Sequence, residues 1–364
     1  MINQNLIHFF QKGFIYFFLT FLSFGHITAQ QTKQNIETRY NELIQFSKSR
    51  DSSWKLEKFW ADSLAKILKM PVSYTDKAEK VIILQRLGYR NKPVYYATDN
   101  LNAAATISVD KLWSDENDYP SLNGQEIMVN IWDGGSILST HQEFQEAGES
   151  RILMQDRDIL ISNHSTHIAG TIGATGINAN ARGMAGKSSL HGWDMNNDIA
   201  EMSMVAADDA IVSNHSYGPL CGWYHNSTTG YWYWYGDITI STTEDYEFGF
   251  YNQTSADLDY LAWSAPNYLI VKSAGNDRND APPEQPVNHY VWDGTWLFVN
   301  NVLRDSDGGA YGYDCLSPMS VSKNILTIGA VDDEKNMTAF SAYGPTDDGR
   351  IKPDVCANGM NVYS

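Results

Sequence analysis

The sequence lacks the features that membrane-spanning and nucleic-acid-binding proteins need. Its 26 Lys and Arg residues are outnumbered by 43 Asp and Glu residues, which gives a formal net charge of −17. A protein that grips nucleic acid presents a basic face to the phosphates. No apolar run reaches the ~20 residues that a membrane-crossing helix requires. We therefore expect no nucleic-acid partner and no stable membrane insertion.

Cysteine is scarce as well, since only Cys221, Cys315 and Cys356 occur. An odd number permits one disulfide and one remaining thiol. Cys221 and Cys315 lie in loop-like stretches rich in Gly and Tyr, which makes them the favoured pair, although sequence alone leaves the pairing open. Cys356, in the stretch DVCANG, is expected to be a small buried residue.

The longest apolar run stands near the start of the chain. Lys12 precedes the run Phe14 to Phe24, and Ala29 follows a few residues later. A modest positive region, a short apolar stretch and a small residue at its exit are typical of a signal peptide. We expect residues 1–29 to be removed and the protein to be secreted, with an uncleaved N-terminal anchor as the alternative.

Charge divides the rest of the chain into two parts. Residues 30–100 hold 13 Lys and Arg against 8 acids, whereas residues 101–364 hold 12 against 35. Helical spacing of apolar residues from Trp54 to Leu68 predicts a helix that Pro71 ends, and Pro93 to Tyr96 is expected to be extended. Residues 30–120 are predicted to form a propeptide-like segment. It is either an inhibitory, folding-assisting propeptide or an N-terminal layer that the mature protein keeps.

From residue 121 to 364 the pattern is that of an α/β domain. Short β-rich runs alternate with helical stretches of small residues, and several runs are nearly all apolar, as in a parallel sheet covered on both faces. The clearest runs are Ile127 to Trp132, Tyr268 to Lys272 and Ile325 to Ala330. We predict a three-layer sandwich with a mostly parallel sheet. Pro219 to Phe250 and Asp280 to Tyr313 break the rhythm and are expected to be surface insertions.

Three polar residues lie at positions where α/β domains commonly have functional side chains. Asp133 follows the apolar run Ile127 to Trp132, at the carboxyl end of a predicted strand. His164 opens a stretch of small residues, and Asn276 follows another strand, where its amide can donate to a developing oxyanion. Each has a plainer interpretation: a turn Asp, a structural or metal-binding histidine, and a turn Asn. No set of metal ligands can be assigned.

Five segments together carry a resemblance to a known family. They are MVNIWDGG, HSTHIAGT, the stretch SNHSYG, SAGN, and the pair GP with KPDV near the end. In this chain order they resemble the subtilisin-like (subtilase, S8) serine peptidases, over roughly residues 125–364. The resemblance implies a subtilisin-like sheet and hydrolysis of polypeptide substrates.

The resemblance also implies a role for each matching residue. His164 is expected to be the general base, Asp133 to orient it, and Asn276 to donate to the oxyanion. The expected substrate-binding residues are Ser216, Tyr217, Gly218, Ala274 and Gly275. His167 is expected to be structural, buried under its helix. The resemblance implies no required cofactor; it admits calcium, and Glu143 stands where some relatives have a ligand.

One part of the family pattern is absent from these 364 residues. The nucleophilic serine belongs to a Gly-Thr-Ser motif, and the sequence contains no Gly-Thr-Ser. We expect the serine to lie beyond Ser364, so that the parent protein is a secreted serine endopeptidase and this chain alone is inactive. The alternative is a catalytically inactive, secreted peptide-binding or adhesion module.

Overall fold

A computed structural model describes residues 39–75, 81–87, 91, 93–98, 107–113, 121–156 and 160–360. The predicted signal peptide lies outside these residues. Within them, the structure contains no helix with the length and apolarity needed to cross a bilayer.

The helices are α1 (39–68), α2 (Asn163–Gly173), α3 (Asp198–Ala207) and α4 (Gln253–Ser264). The strands of the leading part are β1 (Ser73–Thr75), β2 (Val81–Leu87) and β3 (Pro93–Thr98). The strands that follow are β4 (Met128–Asp133), β5 (Gln145–Glu146), β6 (Glu149–Ser150), β7 (Ile152–Met154), β8 (Ser189–Asp194), β9 (Val212–His215), β10 (Tyr217–Pro219), β11 (Trp223–Asn226), β12 (Tyr231–Asp237), β13 (Leu269–Ser273), β14 (Val287–Trp292), β15 (Trp296–Val302), β16 (Leu326–Val331) and β17 (Val355–Asn358).

The core of the molecule is a seven-stranded sheet in the order β17-β16-β13-β9-β4-β8-β7. Every pairing in it is parallel. The interior strand β4 (MVNIWD) is buried along all but its first residue, because helices cover both faces. The predicted α/β class and mostly parallel sheet are confirmed.

Helices on the two faces complete three layers. On one face, Ile168 and Ala169 of α2 pack in a cluster with Ile131 of β4. On the other face, Met202 of α3 and Leu261 of α4 share a cluster with Trp132. Adjacent residues of β4 thus point to opposite layers, as the period of two in a strand requires.

The leading segment packs on the same core. Leu43 of α1 joins the cluster around Trp132, and Ser47 Oγ donates to the Ala200 carbonyl at 2.7 Å. Arg50 forms an ion pair with Asp257 at 3.3 Å. The predicted helix up to Leu68 is confirmed, and it extends N-terminally to residue 39. A four-stranded sheet in the order β1-β2-β3-β10 then joins this segment to the rest of the chain.

The two predicted insertions are parts of one structure. β11 and β12 come from the first and β14 and β15 from the second, and they form a four-stranded sheet, here called the aromatic sheet. β12 pairs with β14 in parallel, and the outer pairs are antiparallel. Trp223, Trp234 and Trp292 are at most 2% exposed. The insertions therefore have an aromatic interior of their own.

The favoured disulfide is wrong: Cys221, Cys315 and Cys356 are all free thiols. Cys221 and Cys315 belong to the same buried cluster, but their sulfur atoms face different partners. Cys221 Sγ lies 4.0 Å from a Glu247 carboxylate oxygen, and Cys315 Sγ lies 3.6 Å from the Tyr343 carbonyl. Cys356 is exposed rather than buried, because it stands on β17 at the edge of the central sheet.

Glu201 provides a test of the packing beneath β4. Its carboxyl accepts a hydrogen bond from Trp132 Nε1 at 3.0 Å, and burial, together with the neighbouring Asp156, raises its pKa to about 9. An unfolded glutamate titrates near 4.5. Between these values the folded chain holds a proton that the unfolded chain has lost, so the free energy of unfolding falls as pH rises through that window.

We predict that Glu201→Gln, which is neutral at every pH, removes this part of the pH dependence. Its free energy of unfolding relative to wild type should be more favourable at about pH 8 than at about pH 5, as measured by urea unfolding. Glu149→Gln, at an exposed glutamate, serves as the control. A difference that does not change with pH would mean that Glu201 is charged in the folded protein.

Candidate active site

Asp133 and His164 are joined in the structure as the sequence motifs predict. Asp133 is the last residue of β4, and His164 lies in the first turn of α2. His164 Nδ1 lies 2.8 Å from Asp133 Oδ1 and 3.0 Å from Oδ2. The Asp133 side chain is 1% exposed and that of His164 13%. Because Nδ1 faces the carboxylate, Nε2 on the other side of the ring is the atom that can exchange a proton with a substrate or nucleophile.

Two further donors hold the Asp133 carboxylate. Ser165 Oγ donates to Oδ1 at 2.6 Å, and the Gly134 backbone N–H donates to the same oxygen at 2.8 Å. Ser165 is fully buried and was not among the predicted site residues. Its signal in the sequence is its place beside His164, in the first turn of the helix whose start meets the end of β4. Ser162 caps the helix by accepting from Ser165 N at 3.2 Å.

The predicted oxyanion residue and three of the five predicted substrate residues line one cleft. Ser216, Ala274, Gly275 and Asn276 all border a cavity of about 380 Å³. Ile168 of α2, one turn beyond His164, forms part of the same wall.

The turn after β13 positions the cleft residues Ala274 and Gly275. Gly275 has a φ of 111°, a backbone conformation that side chains disfavour, so glycine suits this position. Its carbonyl accepts from Ala342 N at 2.9 Å, and Ala274 N donates to the Ile328 carbonyl at 2.8 Å. The chain is therefore held to its neighbours just before Asn276.

Tyr217 and Gly218 are placed differently from Ser216. They belong to β10, which pairs antiparallel with β3 of the leading segment. Tyr217 is opposite Thr98, and Gly218 is opposite Ala97. The edge predicted to receive an extended peptide thus already carries an extended strand of the same chain.

A buried hydrogen-bonded chain lies beneath this edge. His215 Nε2 lies 2.8 Å from Ser213 Oγ, and its Nδ1 lies 3.1 Å from Tyr217 Oη. Tyr217 Oη in turn donates to Asp198 Oδ2 at 2.8 Å. Burial, with the Lys272 charge adding to it, lowers the pKa of His215 to about 3, so the ring is neutral at physiological pH. This chain fixes β9 and β10 to the start of α3.

Glu143, where the family resemblance suggested a calcium ligand, has its carboxylate engaged in hydrogen bonds within the protein. Its carboxylate accepts from the backbone N–H groups of Gly176, Ile177 and Asn178 and from the Thr175 hydroxyl, and these donors lower its pKa against the effect of burial. Its oxygens thus bind the loop that follows α2.

Among the described residues, one group has three potential ligand atoms within 4.8 Å of one another: Cys221, Asp245 and Glu247, all buried. Oxygen ligands suit calcium, whereas a thiol does not.

His167 is partly exposed rather than buried under its helix.

Comparison with known proteins agrees with this geometry. The subtilase family (peptidase S8) model matches residues 140–364. The chain therefore belongs to the subtilase family, whose members named below are serine proteases.

The similar proteins share only part of their length with this chain. It is 24% identical over 292 residues to the serine protease/ABC transporter B family protein tagA of Dictyostelium discoideum, which covers 64% of this chain and 16% of that protein. It is 30% identical over 108 residues to the serine protease AprX of Bacillus subtilis (27% and 24%), and 40% identical over 68 residues to the subtilisin-like protease PopC of Myxococcus xanthus (19% and 14%).

Solved structures of proteases show a distant likeness. The MycP3 protease of the type VII (ESX-3) secretion system is 17% identical with a TM-score of 0.40, covering 75% of this chain and 70% of that one. The prenylagaramide maturation protease PagA is 16% identical with a TM-score of 0.39, covering 65% and 63%. The fold class therefore rests on the strand order and helix layers described above.

We predict that Ser165→Ala lowers the free energy of unfolding by about 2 kcal/mol, because the buried Asp133 carboxylate loses a donor. The matched control is Ser189→Ala, since Ser189 is exposed and its hydroxyl makes only a long bond of 3.4 Å to the Ile127 carbonyl. Urea unfolding of both variants measures the difference. Equal midpoints would show that Ser165 does not support Asp133.

Proposed function

We propose that the protein is a secreted serine endopeptidase in which His164 is the general base. The observation that carries this proposal is the pair formed by His164 Nδ1 and the buried Asp133 carboxylate at 2.8 Å. A carboxylate in this position holds the imidazole in the tautomer that leaves Nε2 ready to accept a proton. It then stabilises the imidazolium that forms when a serine hydroxyl attacks a peptide carbonyl.

The cleft supplies the remaining groups that acyl transfer needs, apart from the nucleophile. In this proposal the Asn276 amide donates to the tetrahedral oxyanion, where charge develops in the transition state. Ser216, Tyr217 and Gly218 bind the peptide backbone by adding it as a strand. The nucleophile is the serine of a Gly-Thr-Ser motif, which residues 1–364 do not contain.

The proposal predicts a difference between this 364-residue chain and a longer protein that contains it. A protein that continues past residue 364 through a Gly-Thr-Ser motif should hydrolyse denatured casein, and a fluorophosphonate should abolish this activity. The 364-residue chain should show no hydrolysis. The proposed signal peptide predicts a secreted product that begins at Gln30. N-terminal sequencing of the protein recovered from the culture medium tests this.

Variants of the longer protein test the individual roles. His164→Ala should abolish hydrolysis, whereas His167→Ala, on the same helix, should leave most of it. Asn276→Ala should lower kcat by roughly 10²–10³-fold, which is the cost measured for the corresponding donor in subtilisin itself. Fluorophosphonate-sensitive turnover by the 364-residue chain would contradict the missing nucleophile. A longer protein that binds peptides without cleaving them would favour the binding module.

We also propose that the leading segment, within residues 30–120, inhibits the protease. The support for this is the antiparallel pairing of β3 with β10, the edge assigned above to substrate. A peptide that adds to β10 on the side where β3 lies must displace β3, because a backbone group that pairs with β3 is not available to the peptide. This favours the inhibitory propeptide over a neutral N-terminal layer.

We predict that cutting the chain is not enough to activate it. A cleavage site for a specific protease, introduced within residues 99–106 of the longer protein, should give a cut form that still elutes as one species and hydrolyses casein slowly. Full activity should appear only when the segment is removed or degraded. The uncut protein is the control. Full activity immediately after the cut, with the segment still bound, would contradict inhibition by β3.

A further inference from the structure

A second cavity lies outside the cleft, between the end of α1 and the aromatic sheet. Its volume is about 220 Å³. One wall comes from the leading segment between Leu68 and Tyr74, and the other from β11, β12, β14 and β15. Six aromatic side chains line it: Tyr74, Tyr224, Tyr233, Tyr235, Tyr290 and Trp296. No step of peptide hydrolysis uses these residues.

The rings of this cavity stand at steep angles to one another. The Trp296 ring lies 5.1 Å from Tyr233 at 90° and 5.1 Å from Tyr235 at 72°. Tyr233 stacks on Tyr290 at 4.8 Å and 16°. Tyr233 and Tyr235 share a face of β12 because they are two residues apart. Five of the six rings thus contact another ring of the cavity wall.

Polar groups accompany the rings. Each tyrosine carries a hydroxyl that can donate and accept, and Tyr74 Oη lies 3.4 Å from Tyr224 Oη. Asn226 also lines the cavity, and its Oδ1 accepts from the backbone N–H groups of Thr228 and Thr229 at 3.0 Å. These bonds fix the Asn226 amide in one orientation. The cavity thus combines apolar ring surface with positioned hydrogen-bonding groups.

We propose that this cavity binds one hexopyranose unit of a glycan. A pyranose has C–H faces that pack on aromatic rings and hydroxyls that pair with tyrosine and asparagine side chains. Lys69 lines the cavity and repels a cation, which argues against a quaternary ammonium ligand. The volume lies below the ~300 Å³ of sites for drug-sized ligands, so it suits a single ring rather than several residues of a proline-rich peptide.

The position of this site links the sugar to the leading segment. Ala61 and Ala65 of α1 pack in one buried cluster with Tyr224 and Tyr235, directly beside the cavity. A sugar that contacts both walls can bind only while the segment is docked. Glycan binding therefore stabilises the docked state, by mass action.

Titration of the 364-residue chain with methyl pyranosides of glucose, galactose, mannose and N-acetylglucosamine tests the proposal. At least one should change tryptophan fluorescence with a Kd on the order of 1 mM, as expected for a ligand of this size. The same sugar should slow trypsin cleavage after Lys69 and leave cleavage after the exposed Lys187 unchanged. Neither readout requires proteolytic activity, so the result is independent of the proposed function.

Variants locate the binding site. Trp296→Ala should weaken the sugar affinity at least about tenfold, whereas Trp263→Ala, on α4 and 65% exposed, should not change it. Circular dichroism shows whether Trp296→Ala folds. If it does not, Asn226→Ala and Tyr290→Phe test the site instead, and each should weaken sugar binding. The proposal is overturned if no pyranoside binds below about 10 mM, if Trp263→Ala weakens binding as much as the cavity variants, or if only tetramethylammonium or oligoproline binds.

Discussion

The buried carboxylate of Asp133 is the constraint on which the site depends. A carboxylate that is 1% exposed is costly unless donors surround it, and three residues meet this need: Gly134, His164 and Ser165. Two of these donors belong to the first turn of α2. The start of that helix must therefore stand over the end of β4, and α2 in turn supplies Ile168 to the cleft wall. Satisfying one buried group thus places His164 and shapes the cleft.

The β10 edge is held in a comparable way from its buried side. Ser213, His215, Tyr217 and Asp198 form a continuous hydrogen-bonded chain that is closed to solvent. The lowered pKa of His215 keeps the imidazole ring of this chain neutral at physiological pH, whereas burial raises the pKa of Asp198, at the end of the chain, to about 6. β10 can then offer its backbone groups from a fixed position. β3 of the leading segment uses that position in this structure.

Local patterns predicted the parts that a few neighbouring residues encode. Asp133 is such a case, because the apolar strand before it and the glycine turn after it lie within ten residues. The layers of the α/β domain were predictable in the same way, from the apolar pattern of each strand and helix. The pairing of β12 with β14 was not predictable from local patterns. The two strands lie in different insertions, and α4 separates these insertions in the sequence. The free thiols were missed for a related reason: loop composition places Cys221 and Cys315 in one cluster without fixing where each sulfur points.

The aromatic sheet gives the leading segment a second attachment, independent of its pairing with β10. At the edge, β3 is held by backbone pairing, which any extended peptide can replace. At the sheet, α1 is held by side chains, since Ala61 and Ala65 pack against Tyr224 and Tyr235. A peptide that competes for β10 does not disturb this second contact, so the displaced β3 stays tethered close to the edge. Tethering raises its effective concentration there. β10 therefore stays free of β3 only when the contact between α1 and the aromatic sheet is also broken.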